Sequence, residues 1–376
     1  MKIPALAGIF FTSLNHVFCP KMNPMKRLHE LDYLRGLAAA GIMMFHYLSW
    51  TFGEFSSESV VGRVGIYGVS IFYILSGLTL YHVYNHSLAK NFSEVGLFFK
   101  RRVLRIYPLL WITTIASIFI FDGGEANASE VFLNLTGLFG FVDWPNGIAI
   151  GSWSIGNELV FYVFFPFFVW LYHRSKWGLG LFSFAVFALF IYFAYSLIDI
   201  ESSLSDEHQR SYYCNPLNQV FLFLGGYLLG VLLEHSRIQL TVSLLLIAAG
   251  IFLFTLWPES GDRVRLIGGT TRMALTASCF LICIGFYKFS AQLPSIVSWP
   301  LRTLGEISYS VYMLHPIIHR LILYPIEYIR KHFFAIPESV RFLLAIVLTL
   351  VVSYFVYHTF EKFFIRLGKK APAKAA

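Results

Sequence analysis

Charge is scarce in this sequence of 376 residues, with Asp, Glu, Lys and Arg together making up 13%. A soluble domain carries about 25%, so a soluble enzyme is excluded. Cysteine is rare as well, and Cys19, Cys214, Cys279 and Cys283 form neither a disulfide framework nor a zinc-ligand spacing. The 14 prolines and 28 glycines follow no fixed period, which excludes collagen-like and other fibrous repeats. No stretch rich in Pro, Gly or Ser divides the chain. No internal repeat on the scale of about 20–50 residues is visible either.

What is present is apolar. Hydrophobic residues supply 57% of the chain and aromatic ones 18%, and the mean hydropathy is +0.64. Disorder is excluded by the same figures. The apolar residues come in long unbroken runs, not in alternating ten-residue strands, so the predicted class is an all-α polytopic membrane protein and not an outer-membrane barrel. Ten runs are expected to be transmembrane helices. Five lie near Tyr33–Phe52, Val64–Tyr84, Val103–Phe121, Ile155–Tyr172 and Leu179–Leu197. The others lie near Pro216–Leu233, Leu240–Leu256, Thr270–Tyr287, Ile307–Tyr328 and Phe342–Phe360.

Residues 26–362 are expected to form one membrane domain, 1–25 an interfacial or disordered extension, and 363–376 a basic cytoplasmic tail. Met1–Phe11 is too short to span and lacks a small-residue cleavage site. No soluble domain is expected. Asp122–Gly151, the longest outer loop, contains the apolar stretch Val131–Val142 and reads as a re-entrant or interfacial piece. Such backbone is tolerated at membrane depth only beside protein or a wet cavity.

With the segment before Tyr33 inside, ten spans return the C-terminus to the cytoplasm. Lys and Arg then number 19 on the cytoplasmic side and 7 outside, with Arg35, Arg272 and Arg320 within spans. That bias predicts both termini in the cytoplasm. It also accounts for the net charge of +8 and pI of 9.2. The positive charge sits on inner loops, so nucleic acid is not an expected partner.

Ionisable groups at membrane depth are costly, and each is a candidate for function. Arg35 and His46 are eleven residues apart on the first run, which puts them on one helix face about 16 Å apart along the axis. Arg35 can instead snorkel to headgroups, and His46 can bond a neighbouring helix. Arg102 and Arg105 share a face before the third run and suit a phosphate clamp. They equally suit an ordinary positive-inside flank. At the fourth run Trp153, Ser154 and Glu158 come in sequence, with Ser154 and Glu158 spaced to face one cavity. The alternative there is a capped helix start. Tyr309 and His315 fall in the ninth run, where His315 either lines a cavity or is a satisfied core histidine. Gly65, Gly68, Ser76 and Gly77 in the second run suit close helix packing.

Five stretches in order resemble the membrane-bound acyltransferase-3 family, which O-acylates cell-surface carbohydrates and related acceptors. They are Leu31-Asp-x-Leu-Arg-Gly through His46, Gly65-x-x-Gly-Val-x-x-Phe-Tyr-x-x-Ser-Gly, and Arg101-Arg-x-x-Arg-Ile-x-Pro. Trp153-Ser-x-x-x-Glu-x-x-Phe-Tyr and Leu304-Gly-x-Ile-Ser-Tyr-Ser-x-Tyr-x-x-His complete the set. The resemblance covers about Lys26 to Phe360. It implies that His46 is essential for acyl transfer, with Arg35 its partner and Arg102 and Arg105 the family's arginine pair. Many members carry an acidic residue after Gly-Val, where this chain has Ser70. The additional span and extracytoplasmic hydrolase-like domain of some members are not expected.

The resemblance implies acyl-coenzyme A, acetyl-coenzyme A in particular, as donor substrate, a carbohydrate hydroxyl as acceptor, and neither a bound cofactor nor a metal. Arg35, Arg102 and Arg105 would hold the donor's phosphates at the inner face. His46 would serve as general base or carry the acyl group itself. Ser76, Trp153, Ser154, Tyr309 and His315 are candidates for the cavity or acceptor side, and Glu158 for catalysis beside the acceptor. The expected order across the membrane is the arginine pair, then His46, then Ser154 with Glu158. A multi-pass transporter or flippase is the competing reading, and a structural subunit a third.

Overall fold

The computed structural model describes residues 28–89, 92–121, 123–333 and 335–369. The expected extension 1–25 and the second half of the basic tail, 370–376, lie outside the described residues. Every regular element among the described residues is helical. The chain opens with α1 (His29–Phe52), α2 (Val60–Leu88) and α3 (Phe92–Phe121), followed by the short α4 (Ala128–Thr136) and α5 (Phe139–Val142). Next come α6 (Ser152–Arg174), α7 (Lys176–Tyr192), α8 (Glu207–Cys214), α9 (Pro216–Leu233) and α10 (Leu240–Leu256). The chain ends in α11 (Gly269–Tyr287), α12 (Ser295–Glu306), α13 (Ser308–His332), α14 (Glu338–Val356) and α15 (Lys362–Leu367). Single π-helical turns, Phe193–Leu197 and Tyr357–Glu361, extend α7 and α14.

This is an all-α polytopic membrane protein. Among the described residues, seven stretches are long and apolar enough to cross a membrane. They are Val60–Leu88, Ser93–Phe121, Ser152–Arg174, Lys176–Leu197, Glu207–Leu233, Gly269–Tyr287 and Glu338–Leu367. The three remaining expected runs are helices too. α1 carries Asp32, Arg35 and His46 and α13 carries His315, His319 and Arg320 among their apolar residues, and α10 is apolar but short, at 17 residues. Outward faces present large apolar side chains such as Phe119, Leu181, Phe184, Phe252 and Phe355, as a lipid environment demands.

Helix starts follow local chemistry. Ser59 accepts from the Val61 amide at α2, Asn215 caps α9 ahead of Pro216, and Asp206 caps α8. Arg63 is fully buried and closes the end of α10, donating to the carbonyls of Phe254 and Trp257 at 2.7 Å each. Those carbonyls would otherwise be orphaned.

Two glycine seams set the registers that matter for the site. A methyl on Gly36 would lie 2.6 Å from the Gly305 amide nitrogen, and one on Gly305 would lie 2.1 Å from the Asp32 carbonyl oxygen. The end of α12 therefore touches the backbone of α1. Gly77 and Gly226 do the same for α2 and α9, each a would-be 2.0 Å from a carbonyl oxygen of the other helix.

Between α3 and α6 the chain turns back into the bundle. Trp111 and Tyr107 of α3 donate to the carbonyls of Leu135 (2.7 Å) and Thr136 (2.8 Å), so α4 descends alongside α3. Phe139 is fully buried, and Gly140 lies against Gly156 of α6. Asn134, buried here, donates to the Glu130 carbonyl and accepts from the Ile148 amide. At the other end of the bundle, Arg101 donates to the Gly368 carbonyl (3.3 Å), so α15 closes beside the start of α3.

Candidate active site

A cavity of about 280 Å³ opens among α1, α2, α3, α6, α12 and α13. Arg35, Ser76, Arg102, Arg105, Ser154, Glu158 and Tyr309 all line it. Seven of the ten residues singled out in the sequence are thus brought to one space from five helices.

Most of these groups are held by a partner that an apolar bundle would otherwise lack. Arg35 donates to Asp32 Oδ1 (3.0 Å) and to Thr79 Oγ1 of α2 (3.1 Å). The Arg102 guanidinium lies between the rings of Tyr84 (5.7 Å) and Tyr162 (5.6 Å), a cation–π sandwich. Arg105, one turn further on, has no hydrogen-bond or ion-pair partner among the described residues, and its charge reaches Arg35, Tyr309 and Glu361. Glu158 accepts from Ser76 Oγ (2.8 Å) and from the Tyr162 hydroxyl. Tyr309 ties α13 to α3 by donating to the Ile106 carbonyl (2.8 Å). Three guanidinium groups face three carboxylates, Asp32, Glu158 and Glu306, across the same space.

The far wall is a hydroxyl cluster. The hydroxyls of Ser154 and Tyr312 are 2.7 Å apart, and both reach the Gly151 carbonyl at 2.9 Å. Beyond it sits a second polar centre that the cavity does not include. His46 Nδ1 and His315 Nε2 are 2.8 Å apart, their rings stacked with centroids 5.0 Å apart. The Trp50 ring packs against both, its centroid 5.2 Å from His46 and 6.1 Å from His315, and the Tyr312 ring lies 6.1 Å from His315. His315 is buried, whereas His46 is partly exposed. Trp153 joins neither centre and packs on Tyr213 (5.1 Å).

Helix α2 gives a scale for the order of these groups. Arg35 bonds Thr79, Glu158 bonds Ser76, and the Ser154 carbonyl accepts from Tyr73 (3.2 Å), each a step further from the arginine end. His46 lies further still, paired with His315 one turn beyond Tyr312. The expected order, with His46 between the arginines and the Ser154–Glu158 pair, is therefore corrected. The reason is the returning α4–α5 segment. It makes α6 begin inside the bundle, so Glu158 joins the arginines and the histidines stand outermost.

Tyr162 and Tyr312 stand in two of the resembling patterns but were given no site role, and Thr79 was missed. Tyr162 is four residues past Glu158 and Tyr312 three before His315, so helical spacing from the recognised residues was the available signal. Thr79 offered none.

The model of the acyltransferase-3 family, described as an acyltransferase domain, matches residues 28–358. YrhL of Bacillus subtilis, provisionally named a peptidoglycan O-acetyltransferase, is 24% identical over 368 residues, covering 88% of this chain and 54% of that protein. The peptidoglycan O-acetyltransferase OatA of Listeria monocytogenes is 26% identical over 335 residues, covering 78% and 50%. The O-acetyltransferase OatA of Staphylococcus aureus is 26% identical over 326 residues, covering 79% and 52%. The chain thus spans about half the length of the curated relatives it matches. No solved structure matches it.

Proposed function

The chain belongs to the acyltransferase-3 family, and on that premise we propose that it is an O-acetyltransferase of the plasma membrane acting on a cell-wall glycan. The acceptor is a peptidoglycan hydroxyl, in keeping with the names of its relatives. One observation carries the reading: an arginine-lined cavity ends at a hydroxyl cluster with a histidine pair directly behind it.

The donor is a cytoplasmic acyl-coenzyme A, with acetyl the acyl group. Its phosphates sit with Arg102 and Arg105, where guanidinium groups match phosphate geometry, and its thioester arm extends past Tyr312 to His46. The His46 imidazole removes the acceptor hydroxyl proton as that oxygen attacks the thioester carbonyl. The C–S bond breaks, and the leaving thiolate takes up the proton. Glu158, fixed by Ser76 and Tyr162, balances the guanidinium charge beside the reacting arm. The Lys and Arg bias sets the arginine end and both termini in the cytoplasm, so the acetyl group is delivered outward.

Sealed vesicles with the cytoplasmic face outward test this. External radiolabelled acetyl-coenzyme A is expected to label peptidoglycan fragments trapped in the lumen. Label confined to external fragments overturns the vectorial reading. Label that enters the lumen only from a different acetyl donor overturns the choice of acyl-coenzyme A.

A further inference from the structure

The two ring nitrogens of His315 have different partners. Its Nδ1 lies 3.1 Å from the Val311 carbonyl oxygen, with the Tyr312 carbonyl as a second backbone acceptor nearby. Pro316 has no amide to offer the Tyr312 carbonyl in the usual helical bond, which leaves that oxygen facing the ring. A carbonyl only accepts, so the His315 proton is on Nδ1 and its Nε2 carries a lone pair. That lone pair points at His46 Nδ1, 2.8 Å away. The His46 nitrogen must donate to it.

We propose that His315 is a positioning residue that fixes His46 in the tautomer with its proton on Nδ1 and its lone pair on Nε2. The atom presented for chemistry is then always the same one. His46 Nε2 has no hydrogen-bond partner among the described residues, and the ring is partly exposed.

His315 is itself immobilised for the task. Its backbone carbonyl accepts from the Tyr47 hydroxyl (2.9 Å), which is also 2.6 Å from Thr349 Oγ1, so α1, α13 and α14 clamp the ring's base. Trp50 packs its ring against both imidazoles and limits rotation about the His46 ring bond. A carboxylate would orient an imidazole equally well, but it would bring a formal charge into the membrane interior at a cost of several kcal/mol. A neutral imidazole anchored on a carbonyl orients without charge. Once His46 takes a proton, its Nδ1–H becomes a charge-assisted donor to His315 Nε2, and that bond strengthens as positive charge develops.

This inference rests on the reading of His46 as the base, and the test separates the two. The full chain is labelled with ¹⁵N-histidine in lipid nanodiscs, and the His46 signals are assigned by their loss in His46→Gln. In the native protein His46 is expected to be protonated at Nδ1 and bare at Nε2. In His315→Leu, which removes the acceptor, the resonances are expected to shift to the other tautomer or a mixture. Turnover should fall at least about 10²-fold with the donor KM unchanged. His315→Gln, whose amide oxygen can stand where Nε2 stood, is expected to restore the native tautomer and most of the turnover. A native His46 protonated at Nε2, or a His315→Leu protein with an unchanged His46 tautomer, overturns the proposal. The native spectrum decides even where His315→Leu fails to fold. Full activity in His46→Ala would instead remove the role of His46 as base and leave the tautomer result standing.

Discussion

Arg35 in the cavity and His46 in the histidine pair lie about 16 Å apart along one helix, and the two centres meet the cost of buried polarity in different ways. Around the cavity, ionised groups are held by a mixture of opposite charge, aromatic faces and hydroxyls. Arg35 leans on Asp32, Arg102 on two tyrosine rings, and Glu158 on Ser76 and Tyr162. At the histidine pair nothing charged touches either ring through a hydrogen bond. His315 is satisfied by backbone carbonyls and by His46, and the surrounding rings are Tyr47, Trp50 and Tyr312. Ionised groups thus line the open cavity, and the imidazoles sit among aromatic rings behind it; on the proposed function, the first would recognise the donor and the second would handle the proton. The difference separates recognition from chemistry.

Three substitutions break or sharpen that division. The largest effect is expected for His46→Ala, which should lower turnover by about 10²–10⁴-fold while donor affinity stays the same. Equilibrium binding of a non-hydrolysable acyl-coenzyme A analogue, measured beside turnover, checks it. A matched loss of donor binding would show that the two centres are one site. Next comes Arg105→Ala. A charge-assisted hydrogen bond is worth roughly 1.5–3 kcal/mol, so donor affinity should drop by about ten- to a hundredfold, with turnover at saturating donor preserved. Arg105→Lys should restore only part of it, since an ammonium lacks the planar fork. Unaltered affinity in Arg105→Ala would return this residue to a topological role. The smallest effect is expected for Thr79→Val. It removes one neutral acceptor from Arg35 and leaves the Asp32 pairing intact, so donor affinity should weaken by about two- to tenfold. A larger loss of turnover than of affinity would place Arg35 with the histidines.

The helices were readable because long apolar runs leave few alternatives. α1 and α13 were readable too, although their polar cargo lowers their hydropathy. Arg35, Arg102, Arg105 and Glu158 stood out as ionised groups in an apolar setting. Tyr162 and Tyr312 did not, since the chain has 21 tyrosines and 18% aromatic residues. The pairing of His46 with His315 bridges 269 residues, and no local pattern encodes such a contact. The depth of Glu158 was equally hidden. It depends on how far α4 turns back along α3, which is decided by hydrogen bonds from Tyr107 and Trp111 to carbonyls.

The contact between Gly36 and Gly305 works as a common origin from which two helices are measured. His46 is ten residues past Gly36, and His315 is ten past Gly305. α1 carries His46 about 15 Å past Gly36, and α13, starting at Ser308 just after the break at Ile307, carries His315 the same way, so the two rings arrive level. The match of nitrogen to nitrogen is therefore a matter of counting. Adding or deleting one residue on either stretch would move one ring by about 1.5 Å and swing it by about 100°. The number of residues on these stretches is thus as constrained as the side chains that they bury and bond.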